Sequence, residues 1–480
     1  MDSSLVLPGV IAYLLLNLAL GFWAGRQVRD GADFIVAGRR LPLWLATATL
    51  FATWFGGGTC VGAAGAAYEK GVLGVIADPF GAALCLLLAG WFFVRPLRRM
   101  RLMTIGDFFR IRYGAAAERI AALLQVPPFI GWAAAQMVAF GTVLQALTGI
   151  DQTTGILLGA ATVLVYTVAG GMWAVSLTDT LQAVVLIAGL VVLLPVALDA
   201  NGGWTAVSAA LPEGRLDLLP EPSLSGWLWY LQAWLVVGVG SIPSQDLLQR
   251  SLSSRSESVA VRSSHIAGGM YLTIGLIPVA LGLTASIALP GLEDPELALP
   301  LLGKQYLGPF GLALFLGALL SAILSSADSA LLAPASVFSE NVVRPLWPGM
   351  SERALLQVAR ASVAAFTLLA LLLALEFRTV YEMMLTAMEA GVAGMIAPFT
   401  AGLYWKRANG WGAVGAMTAG TATWALMTYS TDAVPADLVG LAVSIVVLIA
   451  VSLATGRRVP PLPLRDIEGR RLYPAGSQSL

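Results

Sequence analysis

Apolar runs of about 20 residues recur along nearly the whole chain, and they constrain the fold more than any single motif. A helix of that length crosses a hydrocarbon core of about 30 Å, and in lipid a helix satisfies its own backbone hydrogen bonds. Of the 480 residues, 58% are hydrophobic and only 12% are charged. The sequence therefore predicts an all-α membrane protein, with about thirteen transmembrane helices in the lipid bilayer.

The predicted helices follow one another with short connections, so we expect no soluble domain of useful size. Their predicted ranges are 5–25, 42–68, 72–94, 119–148, 153–169, 174–198, 226–248, 264–289, 309–336, 354–375, 379–404, 410–430 and 434–455.

Basic residues favour cytoplasmic loops and so test the orientation of these helices. With the N-terminus outside, the outer segments hold only four of the 28 lysines and arginines, namely Lys70, Arg215, Lys304 and Arg378. The others, including Arg250 after the seventh helix, fall on the cytoplasmic side. The pattern predicts a plasma (inner) membrane protein with its N-terminus outside and its C-terminus in the cytoplasm.

A group of hydroxyls and one carboxylate interrupts the apolar ninth helix. Ser325, Asp328 and Ser329 share one helical face, and Ser326 lies about a quarter turn away. Polar groups are expensive in a membrane, and oxygen ligands suit hard cations. The few charges favour a weakly held monovalent ion, with sodium as the first candidate. The alternative is that each serine only bonds back to its own helix.

Two predicted helices also contain residues that weaken a helix. Gly56–Gly58 lie in the second, and Gly238, Gly240 and Pro243 lie in the seventh. Broken helices at corresponding places in two halves are typical of inverted-repeat transporters with a site at the bilayer midplane. This predicts a first repeat over 42–198 and a second over 226–404. Segments 1–41 and 405–480 would be peripheral.

Two longer motifs carry a family resemblance. GGMWAVSLTDTLQ from Gly170 to Gln182, together with SSADS from Ser325 to Ser329, resembles the sodium:solute symporter family and its LeuT-type fold. The resemblance covers nearly the full chain. It implies a 5+5 inverted-repeat core that imports a small organic solute with sodium by alternating access.

The same resemblance implies ion-binding residues by position. The sodium site of the family corresponds here to Ala52, Phe55, Ala322, Ser325 and Ser326. Some members hold a second ion, for which the matching residues besides Ser325 are Asp179, Asp328 and Ser329. Whether Asp328 favours a second sodium or a proton stays open, and an ordinary helix-terminal charge is the alternative for Asp179.

Within the family, the sequence is similar to the high-affinity choline transporter branch, through TATLFATW with GGG, WAAA and SIPSQDLLQRSLSS. This implies a cage of aromatic faces for a quaternary ammonium. Ser244 and Ala82 replace an expected tryptophan and tyrosine, so a substrate with groups that choline lacks is an alternative. The candidate substrate residues are Trp54, Gly56, Gly57, Gly58, Asp78, Trp132, Gln136, Ser244, Gln245 and Glu389. For the tryptophans, the alternative is ordinary core packing.

Other classes of protein have less support. Two cysteines and one histidine indicate neither a disulfide framework nor a metal site other than sodium, and no enzyme, cofactor or nucleic-acid motif is present. The expected partners are a small organic solute, sodium and lipid, and the oligomeric state stays open. The alternatives are a symporter for an amino acid or monocarboxylate, a sodium-dependent receptor without transport, and a channel or uniporter.

Overall fold

The structure is a computed structural model, and it describes residues 6–376, 388–431 and 433–472. Helices form the architecture of these ranges, which contain no β-strand and only two isolated β-bridges, Leu41 with Ser254 and Arg465 with Arg471. The predicted all-α fold is confirmed for this part of the chain. Residues 379–387 of the eleventh predicted helix, and Arg378 before it, lie outside the described residues.

The α-helices of the described ranges are numbered α1 to α21 along the chain. Their bounds are Val6–Gly25 (α1), Gly31–Val36 (α2), Leu43–Trp54 (α3), Ala63–Lys70 (α4), Ala82–Leu88 (α5), Val94–Met100 (α6), Ile105–Tyr113 (α7), Ala115–Thr148 (α8), Gln152–Ala200 (α9), Gly203–Ala210 (α10), Leu224–Gly238 (α11), Gln245–Ser253 (α12), Glu257–Tyr271 (α13), Leu276–Ala288 (α14), Ala298–Tyr306 (α15), Pro309–Val337 (α16), Arg344–Leu346 (α17), Glu352–Glu376 (α18), Ile396–Tyr404 (α19), Gly410–Thr428 (α20) and Ala436–Thr455 (α21).

Within the described residues, eight helical segments are long and apolar enough to cross a membrane: Leu7–Gly25, Val72–Met100, Ala115–Thr148, Gln152–Ala200, Glu257–Ala288, Pro309–Leu346, Glu352–Glu376 and Ala436–Thr455. The chain is therefore a multi-pass membrane protein. The second and seventh predicted helices are not in this set, because breaks divide them into shorter segments such as α3 and α11.

The longest helix, α9, has 49 residues and is divided at Gly171. A straight helix of that size would be more than twice as long as the hydrocarbon core is thick. Gly171 has a φ of 49°, and a Cβ atom there would lie 2.5 Å from the carbonyl oxygen of Phe34. Only glycine fits both this backbone and this close approach. The two parts, 152–170 and 172–200, correspond to the fifth and sixth predicted helices.

Both predicted interruptions are present. Helix α3 ends at Trp54 and a wide helical turn begins at Gly58, while α11 ends at Gly238 and α12 begins at Gln245. A Cβ atom on Gly56 would lie 1.8 Å from Ser326 Oγ, so glycine lets the end of α3 approach α16. The first break is therefore fixed by packing as well as by flexibility.

Helix α16 lies in the interior, where it packs against α3, α8, α9 and α12. Every residue from Phe315 to Val337 is buried. By contrast, α1, α18 and α21 carry exposed apolar side chains such as Leu15, Leu372 and Val446. These side chains suit contact with lipid, and α16 carries the polar groups that the bundle encloses.

Candidate ion and substrate site

The C-terminal end of α3 meets the middle of α16 through main-chain carbonyls and the serine pair. Ser325 Oγ lies 2.8 Å from the carbonyl oxygens of both Ala52 and Ala322. Ser326 Oγ lies 2.6 Å from the carbonyl oxygen of Thr53. Both serines are buried. The structure therefore brings together four of the five predicted sodium residues.

The carbonyls of Ala52 and Thr53 are available because α3 ends at Trp54, and the last carbonyls of a helix have no N–H group one turn ahead. The fifth predicted residue, Phe55, is the first residue beyond α3, with a φ of −75° and a ψ of 59°. Neutral carbonyl and hydroxyl oxygens suit a hard monovalent cation. Because they carry no net charge, they would also release it readily.

A second buried cluster lies one turn further along α16. Asp328 accepts hydrogen bonds from Tyr166 Oη at 2.7 Å and from Ser329 Oγ at 3.0 Å. Asp179 of α9 accepts a hydrogen bond from Thr49 Oγ1 at 2.5 Å. Both carboxylates are fully buried. The three side chains predicted for a second ion therefore lie in one polar region.

Arg250 also lies in this cluster, so its assignment to a cytoplasmic connection is wrong. Its Nη2 donates to Ser329 Oγ and lies 3.9 Å from Asp179 Oδ2, and its Nη1 donates to the carbonyl oxygen of Asp246 at 3.0 Å. Helix α12 continues past the apolar run and packs against α3 and α16, which encloses this side chain. One guanidinium thus lies beside Asp179 and contacts Ser329, which donates to Asp328.

A cavity of about 50 Å³ opens beside the two breaks. Three of the predicted substrate residues line it, namely Trp54, Trp132 and Ser244. Phe129 and Met388 complete much of the apolar wall.

A smaller space shares Trp54 and Trp132 with this cavity and is also lined by Asp78 and Tyr271. Asp78 Oδ2 accepts a hydrogen bond from Thr59 at 2.5 Å. Asp78 Oδ1 and Tyr271 Oη have no hydrogen-bond partner among the described residues. Asp78 therefore belongs to the walls around the tryptophans, next to the main cavity.

The other predicted substrate residues have structural partners. Gly56, Gly57 and Gly58 form the break after α3, and Gln136 Oε1 accepts a hydrogen bond from the Gly57 N–H at 3.0 Å. Gln245 Oε1 accepts one from the N–H of Ile105 at 2.8 Å. Gln136 and Gln245 are not among the residues that line the cavity.

Glu389 also lies away from the cavity, although Met388 and Gly391 line it. Its Oε2 accepts a hydrogen bond from Trp424 Nε1 of α20 at 2.9 Å. Neighbouring residues of a helix point in directions about 100° apart, which explains how adjacent side chains face different spaces.

Asp246 is a cavity residue that sequence reasoning did not select. It lies in the first turn of α12, directly behind the second break, and is 1% exposed. Its carboxylate accepts hydrogen bonds from Trp54 Nε1 and Ser244 Oγ. The available signal was an acidic residue two positions after Ser244, within the broken helix.

Polar oxygens at a broken helix, beside a cavity in a multi-pass bundle, are typical of secondary transporters. The profile of the "Sodium:solute symporter family" matches residues 34–420. The chain belongs to the sodium:solute symporter family. It is a sodium-coupled transporter of a small organic solute and not an enzyme.

Three relatives illustrate the range of the family. The human high affinity choline transporter 1 is 30% identical over 442 residues, which cover 86% of this chain and 75% of that protein. The osmoregulated proline transporter OpuE of Bacillus subtilis (strain 168) is 28% identical, with 86% of each chain covered. The sodium/pantothenate symporter of Escherichia coli (strain K12) is 27% identical, covering 89% and 91%.

Solved structures show the same fold. A Na⁺-coupled sialic acid symporter in a substrate-bound outward-open state has a TM-score of 0.83 at 19% identity, covering 94% of this chain and 98% of that one. The nucleobase-cation-symport-1 family transporter Mhp1 has a TM-score of 0.63 at 15% identity, covering 90% and 96%. The expected LeuT-type fold is confirmed.

Proposed function

We propose that this symporter imports a small cationic or zwitterionic amine by alternating access. The main supporting observation is that residues of the predicted ion site and of the cavity wall lie next to each other on α3. The Ala52 carbonyl contacts Ser325, and Trp54, two residues later, lines the cavity. An ion at the serine pair would hold the helix end that forms one cavity wall. Ion and solute binding would therefore favour each other.

The cavity wall suits a positively charged solute. Trp54, Phe129 and Trp132 offer aromatic faces, which attract cations. Asp246 adds a carboxylate, and none of the described residues that line the cavity is basic. Choline, named in the human relative, is the first compound to test.

A second candidate substrate is an amino acid or a monocarboxylate. The similarity to a proline transporter and a pantothenate symporter favours it. A zwitterion would still present an ammonium group to the cavity, whereas a plain monocarboxylate would meet the buried charge of Asp246. A receptor without transport is the third candidate, and it would bind the solute without accumulating it.

We assign the coupling sodium to Ala52, Phe55, Ala322, Ser325 and Ser326. Binding there would join α3 to α16 and shift an existing equilibrium towards the outward-facing, substrate-competent state. Each sodium that moves inward across 100 mV releases about 2.3 kcal/mol. The neutral ligands then permit release on the inner side, which completes the coupling.

A second ion at Asp179, Asp328 and Ser329 is a separate proposal. Arg250 compensates one of the two carboxylates, and the remaining negative charge would be neutralised by a second sodium or by a proton. The ratio of ²²Na⁺ to labelled solute taken up at two pH values distinguishes these cases. A ratio of two indicates two sodium ions, and a ratio of one with pH-dependent uptake indicates a proton.

We propose that about thirteen helices cross the membrane and that 42–198 and 226–404 form the two inverted repeats of five helices, flanked by 1–41 and 405–480. One broken helix occurs in each proposed repeat, which supports this division. We also propose a plasma (inner) membrane location with the N-terminus outside and the C-terminus in the cytoplasm. This orientation is supported by the basic residues other than Arg250, most of which still lie in the predicted cytoplasmic segments. Labelling of single cysteines in the two terminal segments from each side of the membrane tests this orientation.

The proposed function is tested by uptake into proteoliposomes. Labelled choline, proline and a monocarboxylate are each supplied with an inward sodium gradient, or with potassium in its place. We expect sodium-dependent accumulation of an amine. Stabilisation of the purified protein by an amine without any uptake would instead support a receptor.

A further inference from the structure

We infer that Asp246 binds the cationic nitrogen of the solute and selects an ammonium that carries an N–H group over a quaternary ammonium. This inference rests on the proposed function and names the substrate class of the same cavity. The solute would be a protonated primary, secondary or tertiary amine.

Asp246 lines the main cavity and is 1% exposed. Trp54 Nε1 donates to Oδ2, and Ser244 Oγ donates to Oδ1. Two donors, one on each oxygen, fix the orientation of the carboxylate between the two broken helices.

The carboxylate of Asp246 forms no ion pair with a described residue, and both of its side-chain donors are neutral. Arg250, one turn further along α12, reaches only the main-chain carbonyl of Asp246 and is also held by Ser329 and Asp179. A buried charge without a partner is costly, so a cation in the cavity would stabilise this wall.

A carboxylate has about four acceptor positions, and Trp54 and Ser244 occupy two of those on Asp246. The remaining positions can accept N–H groups of an ammonium. A quaternary ammonium has no N–H group and leaves them unused, because it is held only by charge and by aromatic faces.

The cavity wall has an aromatic part and a polar part. Trp54, Phe129 and Trp132 supply aromatic faces to the alkyl groups of an amine, but Ser244 and Asp246 form a polar part of the wall. A quaternary ammonium can use the aromatic faces and the charge of the carboxylate but cannot donate a hydrogen bond to it. Here the aromatic side chains can contact alkyl substituents of the nitrogen, and the carboxylate can accept its N–H groups. The cavity therefore suits a nitrogen that carries both kinds of substituent.

The test compares 2-aminoethanol bearing zero, one, two or three N-methyl groups, the last being choline. Binding to the purified full-length protein in sodium is measured by thermal shift and by competition for uptake in proteoliposomes. A charge-assisted hydrogen bond is lost only at the third methyl group, so we expect the dimethyl compound to bind at least roughly tenfold more tightly than choline. Equal or tighter binding of choline by the native protein would overturn the inference.

Asp246→Asn keeps the size of the side chain and removes its charge. We expect this variant to bind the dimethyl compound at least roughly tenfold more weakly and to lose the preference over choline. Stabilisation by sodium should persist, which shows that the variant is folded. Asp437→Asn is the matched control, because Asp437 is a buried carboxylate of α21 that does not line the cavity.

A purely structural role for Asp246, in which it only orients Trp54, predicts equal weakening for all four amines in Asp246→Asn. That result would overturn the inference and leave the proposed function intact. If neither the four amines nor proline binds or is taken up by the native protein, both fail together. The two failures are therefore distinguishable.

Discussion

Replacing Ser325 by alanine tests the proposed sodium site with the smallest chemical change. Its hydroxyl oxygen lies 2.8 Å from the carbonyl oxygens of Ala52 on α3 and Ala322 on α16. The substitution removes one ligand and the direct link between the two helices. A hydrogen-bonding contact with a charged group contributes about 1.5–3 kcal/mol. We therefore expect the sodium concentration that gives half-maximal stabilisation or uptake to rise at least roughly tenfold.

The assay is a sodium titration of Ser325→Ala and Ser326→Ala, with potassium keeping the ionic strength constant. Thermal shift of the purified protein reports binding, and uptake of labelled amine reports coupling. Ser339→Ala is the matched control, because Ser339 is buried and its hydroxyl donates to the carbonyls of Ala335 and Ser336, at 2.7 and 3.1 Å. Unchanged sodium dependence in both Ser325→Ala and Ser326→Ala would refute the assignment of these serines.

Three further substitutions test other parts of the structure. Arg250→Gln leaves two buried carboxylates without their cation, which should lower the free energy of unfolding by roughly 3–5 kcal/mol. Tm should therefore fall, and it should partly recover in the double variant with Asp179→Asn. A fall that Asp179→Asn does not relieve would contradict the charge pairing. Trp54→Ala should abolish stabilisation by the solute but retain stabilisation by sodium, and loss of both would contradict separate binding sites. Gly171→Ala should lower Tm because of the positive φ at this position, whereas Gly131→Ala, where a Cβ atom meets nothing within 4 Å, should not.

Features that depend on local sequence were predictable. The glycines at the first break and the serines on one face of α16 occupy fixed positions along the chain, so the break and the oxygen cluster could be placed without coordinates. The division of α9 at Gly171 was also anticipated, as the boundary between two predicted helices. Such features follow from backbone preferences and helical periodicity.

Features that depend on packing between distant elements were not predictable. Arg250 follows an apolar segment and precedes a run of serines, a pattern that predicts a loop residue. In the structure, α12 continues past it to Ser253. Asp246 is a site residue because α12 places it at the cavity and because Trp54, far away in sequence, donates to it. Glu389 was selected as a buried acid, but its partner Trp424 on α20 turns it away from the cavity. Each case depends on a contact that sequence periodicity does not contain.

The most direct test of the account is the concentration of labelled 2-(dimethylamino)ethanol in proteoliposomes of the full-length protein. We predict accumulation above the external concentration with an inward sodium gradient, and only equilibration when potassium replaces sodium at the same pH. Equal accumulation in potassium would contradict the claim that sodium, held between the broken end of α3 and the serine pair of α16, drives the uptake of the solute.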